Sequence, residues 1–291
     1  MISTRSEIPS KTTLEPGSLG PVQETMLITL WARSIESQRP DALTRDDKAV
    51  EIQRRLEYDF SRFERGWKSQ IGVAVRDRYI DRLTRAFLER HPESNIINLG
   101  AGLDTRCFRI DNGLAHWFDV DLPDAIALRS KFIEQTSRRT FLETSGDDFH
   151  WMDRIRDTNN RPTLLIAEGV LMFFEERLVH ELIKRQSEVF TKGEMIFDLI
   201  GPMMVQFPFL HDTLPRTRAR FRWGAKSLHA PIAWKGKYEF ASSRSMLEEE
   251  PARWRWMRWC RYLPILHRQF FVVHLQSPSA HDQTKNVDSW M

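Results

Sequence analysis

Asn95-Ile96-Ile97-Asn98-Leu99-Gly100-Ala101-Gly102-Leu103-Asp104-Thr105-Arg106 is the stretch on which the fold turns. A short apolar run breaks into Gly-x-Gly, which lets the backbone come close to a bulky nucleotide-like ligand with no Cβ in the way. Asp119 and Asp121 follow at the end of the next apolar run, His116 to Val120. A carboxylate about 20 residues beyond the glycines is where a Rossmann-type fold places its ribose acceptor. Thr105 stands where the dinucleotide fingerprint needs a third glycine. That argues against the pyrophosphate of NAD or FAD and leaves a nucleoside ligand such as S-adenosylmethionine.

Outward from this turn the rhythm of the chain changes at about residue 90. Before it, apolar residues recur at helical spacing over 22–37, 47–56 and 72–90, so the first 90 residues read as wholly helical. After it, short β-type runs at 96–99, 117–120, 140–143, 163–167 and 195–199 alternate with helical patterns, which predicts a parallel sheet with right-handed crossovers. Two closing strands are expected at 237–241 and 269–275, separated by a helix. The expected organisation is a polar tail over 1–20 and a single domain over 21–276, with a second tail over 277–291. Within the domain, 21–90 is a helical cap, 91–200 the cofactor-binding core, 201–236 a lid-like substrate insertion and 237–276 the closing strands. Ligands in such a sheet bind at the carboxyl ends of the strands, where Gly100, Gly102, Asp121 and Glu168 all fall.

Bulk properties narrow the class. The 291 residues are 41% hydrophobic and 29% charged, as in a globular protein. A net charge of +3 gives no strong field for nucleic acid or an anionic membrane. Cys107 and Cys260 make neither a disulfide framework nor a metal-ligand spacing, so no metal is expected and a reducing cytoplasm is the simple location. No apolar stretch approaches a membrane span, and the first 18 residues lack the apolar core of a signal peptide.

Several ordered motifs then resemble one family. Glu24-Thr25-Met26-Leu27 with Arg33 and Glu36-Ser37, Tyr58-Asp59-Phe60, Asn98 through Arg106, Asp119 through Pro123, and Ile166 through Met172 occur in series. This series is similar to the leucine carboxyl methyltransferase superfamily, and within it to tetracenomycin-type polyketide O-methyltransferases, over about residues 22–275. The resemblance implies a Rossmann-like class I methyltransferase with a seven-stranded, mostly parallel sheet, helices on both faces, added N-terminal helices and a lid. It implies S-adenosylmethionine as cofactor and a small carboxylate or phenolic metabolite, polyketide-like or another secondary metabolite, as acceptor. By position it assigns Arg76 to the cofactor carboxylate, Gly100 to the methionine part and Asp121 to the ribose hydroxyls. Asp148 and Phe149 match the pair flanking the adenine, with Asp147 an alternative to Asp148, and Glu168 matches the glutamate ending the fourth strand.

Other readings follow from the residues alone. Arg76 offers a fork for a carboxylate but also reads as a helix-surface charge beside Asp77 and Arg78. Glu168 ends an apolar strand, where a cofactor amine or a nearby arginine would account for it. Thr105 and Arg106 read as a helix start and a local ion-pair partner, and Cys107 as a small core residue. The insertion carries Arg216, Arg218, Arg220 and Arg222 among Phe207, Phe209, Phe221 and Trp223, which suits an acidic aryl substrate or a solvated basic face over an apolar one. Residues 253–262 interleave arginines and aromatics, as a nucleic-acid binder does, although a helix packing its tryptophans on the sheet is preferred. A phenol acceptor would call for a base. His150, His211 and His229 are the histidines nearest the motifs and the insertion, and no base is named. A protein C-terminal carboxyl methyltransferase is the alternative within the family. No nucleic-acid or membrane partner is expected, and the oligomeric state is left open.

Overall fold

In the computed structural model, which describes residues 11–15, 17–146, 148–159 and 161–278, the run at 95–99 is a strand buried at every position. Parallel strands covered on both faces read as continuous apolar runs of this kind. The main sheet has seven strands: β1 Asn95–Leu99, β2 His116–Asp121, β3 Arg139–Glu143, β4 Thr163–Ala167, β5 Gly193–Ile200, β6 Glu239–Ser245 and β7 Phe270–Gln276. Their spatial order is β3-β2-β1-β4-β5-β7-β6. The first five are mutually parallel and β7 runs antiparallel between β5 and β6. This is the doubly wound, mostly parallel α/β sheet expected from the sequence. The edge strand β6 lies later than the 237–241 reading, because its Ser242-Ser243-Arg244 stretch carries no apolar signal and a register shift separates Phe240 from Ser242.

Helices α1 Met26–Ser37, α2 Asp47–Arg55 and α3 Trp67–Arg90 precede the sheet. Then come α4 Arg106–Ile110, α5 Pro123–Arg129, α6 His150–Asn159, α7 Glu176–Val189, α8 Pro202–Gln206 and α9 Pro264–His267. Strand alternation splits the core. Ile97, Leu99, Phe118 and Val120 face α6 and α7, packing with Trp151 and Leu182. Ile96, Trp117, Leu164 and Ile166 face α3, packing with Val75, Tyr79 and Ile80. A third cluster, including Leu27, Leu30, Trp31, Ile52 and Phe63, holds α1 and α2 together.

The start of the chain departs from the wholly helical reading. Thr12–Thr13 pair in parallel with Leu56–Glu57, and Leu19 is buried in the third cluster, so part of 1–20 is attached to the cap. Residues 279–291 of the second tail lie outside the described residues.

Candidate functional site

The chain builds β1, β2 and β3 outward in one direction, then returns to lay β4 on the other side of β1. A crevice opens at the carboxyl ends of strands where the order reverses. A cleft lies there, lined by Asn98 through Asp104, Val120 through Leu122, Glu168 through Val170, and Met26, Thr29 and Arg33 from α1. Gly100 and Gly102 both lie in the cleft wall with positive φ, +67° and +44°. A Cβ on Gly100 would also sit 2.2 Å from Val170 Cγ2, so only glycine satisfies both backbone and space.

Asp121 closes β2 and faces the same cleft. Its Oδ2 accepts the Gly102 N–H at 2.7 Å and its Oδ1 accepts the Leu122 N–H at 2.7 Å. Each oxygen keeps a further lone pair for a ligand hydroxyl. Burial pushes the acid up to about 6, against those two N–H donors, so the carboxylate is mostly ionised at neutral pH. The glycine turn and the acid are thereby bonded to one another.

Arg76 is not a helix-surface charge. It is buried on α3 and lines the cleft. Its Nε donates to Glu168 at 2.8 Å and its Nη1 to Asp198 at 2.6 Å. A full bidentate fork is therefore not free for a ligand, and Nη2 is the guanidinium nitrogen without a hydrogen bond to these acids. Glu168 also lines the cleft, and two arginines account for its burial: Arg76 on Oε1 and Arg106 on Oε2 at 2.5 Å. Arg106 further bonds Asp81 and Asp104, and Arg109 bonds Asp46 and Asp81. Asp77 lies within this network beside Arg106 and Arg109. Desolvation and the neighbouring Glu168 charge push Asp77 well above the ordinary carboxylate range. Glu168 is held well below it, its desolvation outweighed by Arg76 and Arg106. The two buried acids are thus pushed in opposite directions, Asp77 toward its neutral form and Glu168 toward its anion. Arg106 and Cys107 have the structural places read for them, and Thr105 gives its hydroxyl to Asp46.

Asp148 and Phe149 do not line the cleft. Asp148 is exposed and accepts the His150 N–H at 3.2 Å, while Phe149 packs on the core beneath Arg185. Thr144, Ser145 and Gly146 form that wall instead, and Asp147 lies outside the described residues. Two further residues, Arg33 and Asn98, stand in the cleft. Arg33 donates to the Leu103 carbonyl at 2.8 Å, and Asn98 donates to Asp104 at 3.0 Å.

A second cavity of about 410 Å³ adjoins the cleft, and both are lined by Thr25, Thr29, Arg76, Gly169 and Phe173. Its walls are mainly apolar, with Ile28, Val73, Met172, Ile200, Leu214, Phe221 and Phe270 among them. The insertion covers it and is bound to the start of α3. Asp212 accepts the N–H groups of Lys68 and Ser69 at 2.8 and 3.1 Å. A carboxylate so placed caps a helix and meets the positive end of its dipole. None of the four insertion arginines lines either cavity. Arg216 instead exchanges bonds with the backbone of Arg62, and Arg222 pairs loosely with Glu175 at the surface.

The 253–262 segment also corrects its reading. It is a kinked 3-10 helix, with Arg255 at φ 52°, in which only Trp254 is buried. Trp254, Trp256, Met257 and Cys260 line the apolar chamber, Trp256 only from its rim, since Trp256, Trp259 and Tyr262 are all exposed. Among the described residues, no His, Cys, Asp and Glu side chains gather as a metal site, and no helix is long and apolar enough to cross a membrane.

With this geometry in view, the family model of leucine carboxyl methyltransferase matches residues 26–186, which carry the cap and four of the five parallel strands. The chain belongs to the leucine carboxyl methyltransferase family. It is 34% identical to the tetracenomycin polyketide synthesis O-methyltransferase TcmP of Streptomyces glaucescens, over 70% of this chain and 75% of that protein. It is 32% identical to the S-adenosyl-L-methionine-dependent methyltransferase dpfgK of Gibberella zeae, over 74% of this chain and 79% of that one. In fold it is similar to a DUF574 family protein from Streptomyces avermitilis, with a TM-score of 0.54 at 12% identity, covering 86% of this chain and 97% of the other. Family membership accounts for the order of the motifs. The chamber walls lie largely in the insertion and the C-terminal segment, beyond residue 186.

Proposed function

We propose that this chain is a cytoplasmic S-adenosylmethionine-dependent O-methyltransferase that acts on a carboxylate or phenolic hydroxyl of a small, polyketide-like or related secondary metabolite. The observation that carries the reading is the wall shared by the two cavities. A cleft with a glycine turn and a ribose-type acid adjoins an apolar chamber, and they meet at Thr25, Thr29, Arg76, Gly169 and Phe173.

The residues of the cleft fit the cofactor. Asp121 has lone pairs to accept a cis-diol, and Gly100 and Gly102 open the backbone beside it. Arg33 and the Nη2 edge of Arg76 are the cations that would meet its carboxylate. When bound, the cofactor supplies a methyl group on a sulfonium for in-line displacement by an acceptor oxygen. The protein then contributes chiefly proximity and orientation, up to about 7–11 kcal/mol in well-oriented systems. The apolar walls strip water from a flat acceptor and set one edge of it at the seam. The burial of Trp254 in that wall supports a small-molecule role for the 253–262 segment over nucleic-acid binding.

Equilibrium dialysis with methyl-labelled S-adenosylmethionine tests the cofactor assignment: S-adenosylhomocysteine should displace the label and NAD should not. Displacement by NAD and not by S-adenosylhomocysteine contradicts it. Incubation with aromatic carboxylic acids and phenols should move label onto oxygen. Transfer to an amine in their place contradicts the O-methyl assignment.

A further inference from the structure

Almost every polar group lining the apolar chamber already has a protein partner. Lys68 gives its ammonium to the Leu210 carbonyl, Asp212 is taken by the start of α3, and Arg76 is held by Glu168 and Asp198. Asp198 takes the Gly169 N–H on its other oxygen, and the Gln269 amide nitrogen donates to Ile265, leaving its buried Oε1, an acceptor only, without a partner. His211 also has an open position. It lines the chamber from the insertion, stacked edge-on against Phe221, and uses one ring nitrogen only. Its Nδ1 accepts the Leu214 backbone N–H at 3.0 Å, with the Thr213 hydroxyl at 3.4 Å.

A backbone N–H can only donate, so Nδ1 must present its lone pair. In a neutral imidazole the single proton then lies on Nε2. The ring is neutral at physiological pH, because burial pushes its conjugate acid down to about 4; Asp212 opposes this shift, and Arg76 and Lys68 add to it. A base acting through Nε2 would need its proton on Nδ1, directly against the Leu214 N–H.

We propose that His211 is the acceptor-binding residue of this chamber and that it donates its Nε2–H to an acceptor oxygen instead of abstracting a proton. This rests on the methyltransferase reading of the adjoining cleft and adds a chemical restriction to it. The acceptor oxygen arrives already ionised, on a flat apolar framework that fills the aromatic and methionine-lined walls. A neutral phenol would have no free base here to take its proton. Removing the donor should weaken binding of such an anion about tenfold, the usual scale of a hydrogen bond to a charged group.

Two measurements test this on the full-length protein. Histidine-selective 15N spectra, with His211→Gln to assign the ring, should show His211 Nδ1 unprotonated and Nε2 protonated from about pH 6 to 8. The reverse pattern overturns the proposal, and this arm needs no ligand. Calorimetry of 2-naphthoate into protein saturated with S-adenosylhomocysteine provides the second arm. His211→Ala should lose about tenfold or more, while His211→Gln, which keeps an amide donor, stays within about threefold of wild type. S-adenosylhomocysteine should bind all three alike, which confirms that the variants are folded. Equal naphthoate affinity in wild type and His211→Ala, or no naphthoate binding by the loaded wild type, overturns the proposal. Failure of wild type to bind S-adenosylhomocysteine overturns the cofactor reading instead, and the ring-nitrogen spectrum still decides the tautomer.

Discussion

Asp121 holds the glycine turn with one carboxylate and, in the proposed donor site, would also hold the cofactor's ribose hydroxyls. It takes the Gly102 and Leu122 N–H groups, and its acid is raised to about 6 chiefly by burial. The raised value makes ionisation of this group cost the unliganded fold as pH rises from about 4 to about 6. The ligand requires the ionised form, so its affinity has the opposite dependence. S-adenosylhomocysteine should bind with constant affinity above about pH 7 and lose up to about tenfold per unit below pH 6, a slope that Asp121→Asn should abolish. Calorimetry across pH 5 to 8 checks this. Arg106 represents the other kind of residue, one whose role is burial with its partners. It is 1% exposed and bonded to Asp81, Asp104 and Glu168. Arg106→Ala leaves those acids uncompensated and should cost about 3–5 kcal/mol in a denaturant titration. The place of Asp121 beside the glycine turn was legible from the sequence, because its spacing from the glycines is set by one strand–helix–strand unit. The partners of Glu168 were not, because Arg76 lies 92 residues earlier and only the packing of α3 on β4 brings the two together. Asp148 shows the converse: an acid just before a helix start also serves local turns, and its bonds are to the His150 N–H and the Thr144 hydroxyl.

Among the elements, the central strands β1, β4 and β5 were the most legible, because burial on both faces leaves an apolar run with no competing signal. The start of α3 was not. Periodicity suggested residue 72, whereas the helix begins at Trp67, where Gly66 provides no side-chain cap. Asp212 supplies that cap from the insertion, and a cap so distant in sequence leaves no local trace. The insertion was legible as irregular and aromatic, but the direction of its arginines was not, since pocket and surface positions alternate there without a fixed period. Asp212→Ala should cost about 0.5–2 kcal/mol of stability, as cap removal does. Because the same bonds attach the insertion, trypsin should cleave within 201–236 faster in this variant, with S-adenosylhomocysteine affinity unchanged. Unaltered cleavage would mean that the remaining contacts, Arg62–Arg216, Lys68–Leu210 and Trp223–Leu171 among them, hold the insertion.

Across the whole molecule, the cleft is walled by the cap through Met26, Thr29 and Arg33 and by the sheet through β1, β2 and β4. A ligand there bridges two parts of the chain that are otherwise joined by side-chain packing and the buried ion network. Binding should therefore stabilise the protein as one unit. At a hundredfold excess over Kd, S-adenosylhomocysteine adds about 2.7 kcal/mol, which for a domain of this size raises Tm by about 5–10 °C. Differential scanning calorimetry should show a single transition moving as a whole; a shift confined to part of a split transition would show that cap and core unfold separately. The central claim, that the glycine turn at 100–102 and Asp121 form the donor site, is tested most directly by calorimetric titration of S-adenosylhomocysteine into wild type and Asp121→Ala. The account predicts micromolar binding that weakens at least about tenfold in the variant, the scale of a lost hydrogen bond to a charged group. No binding by the wild type, or equal binding by both proteins, would contradict it.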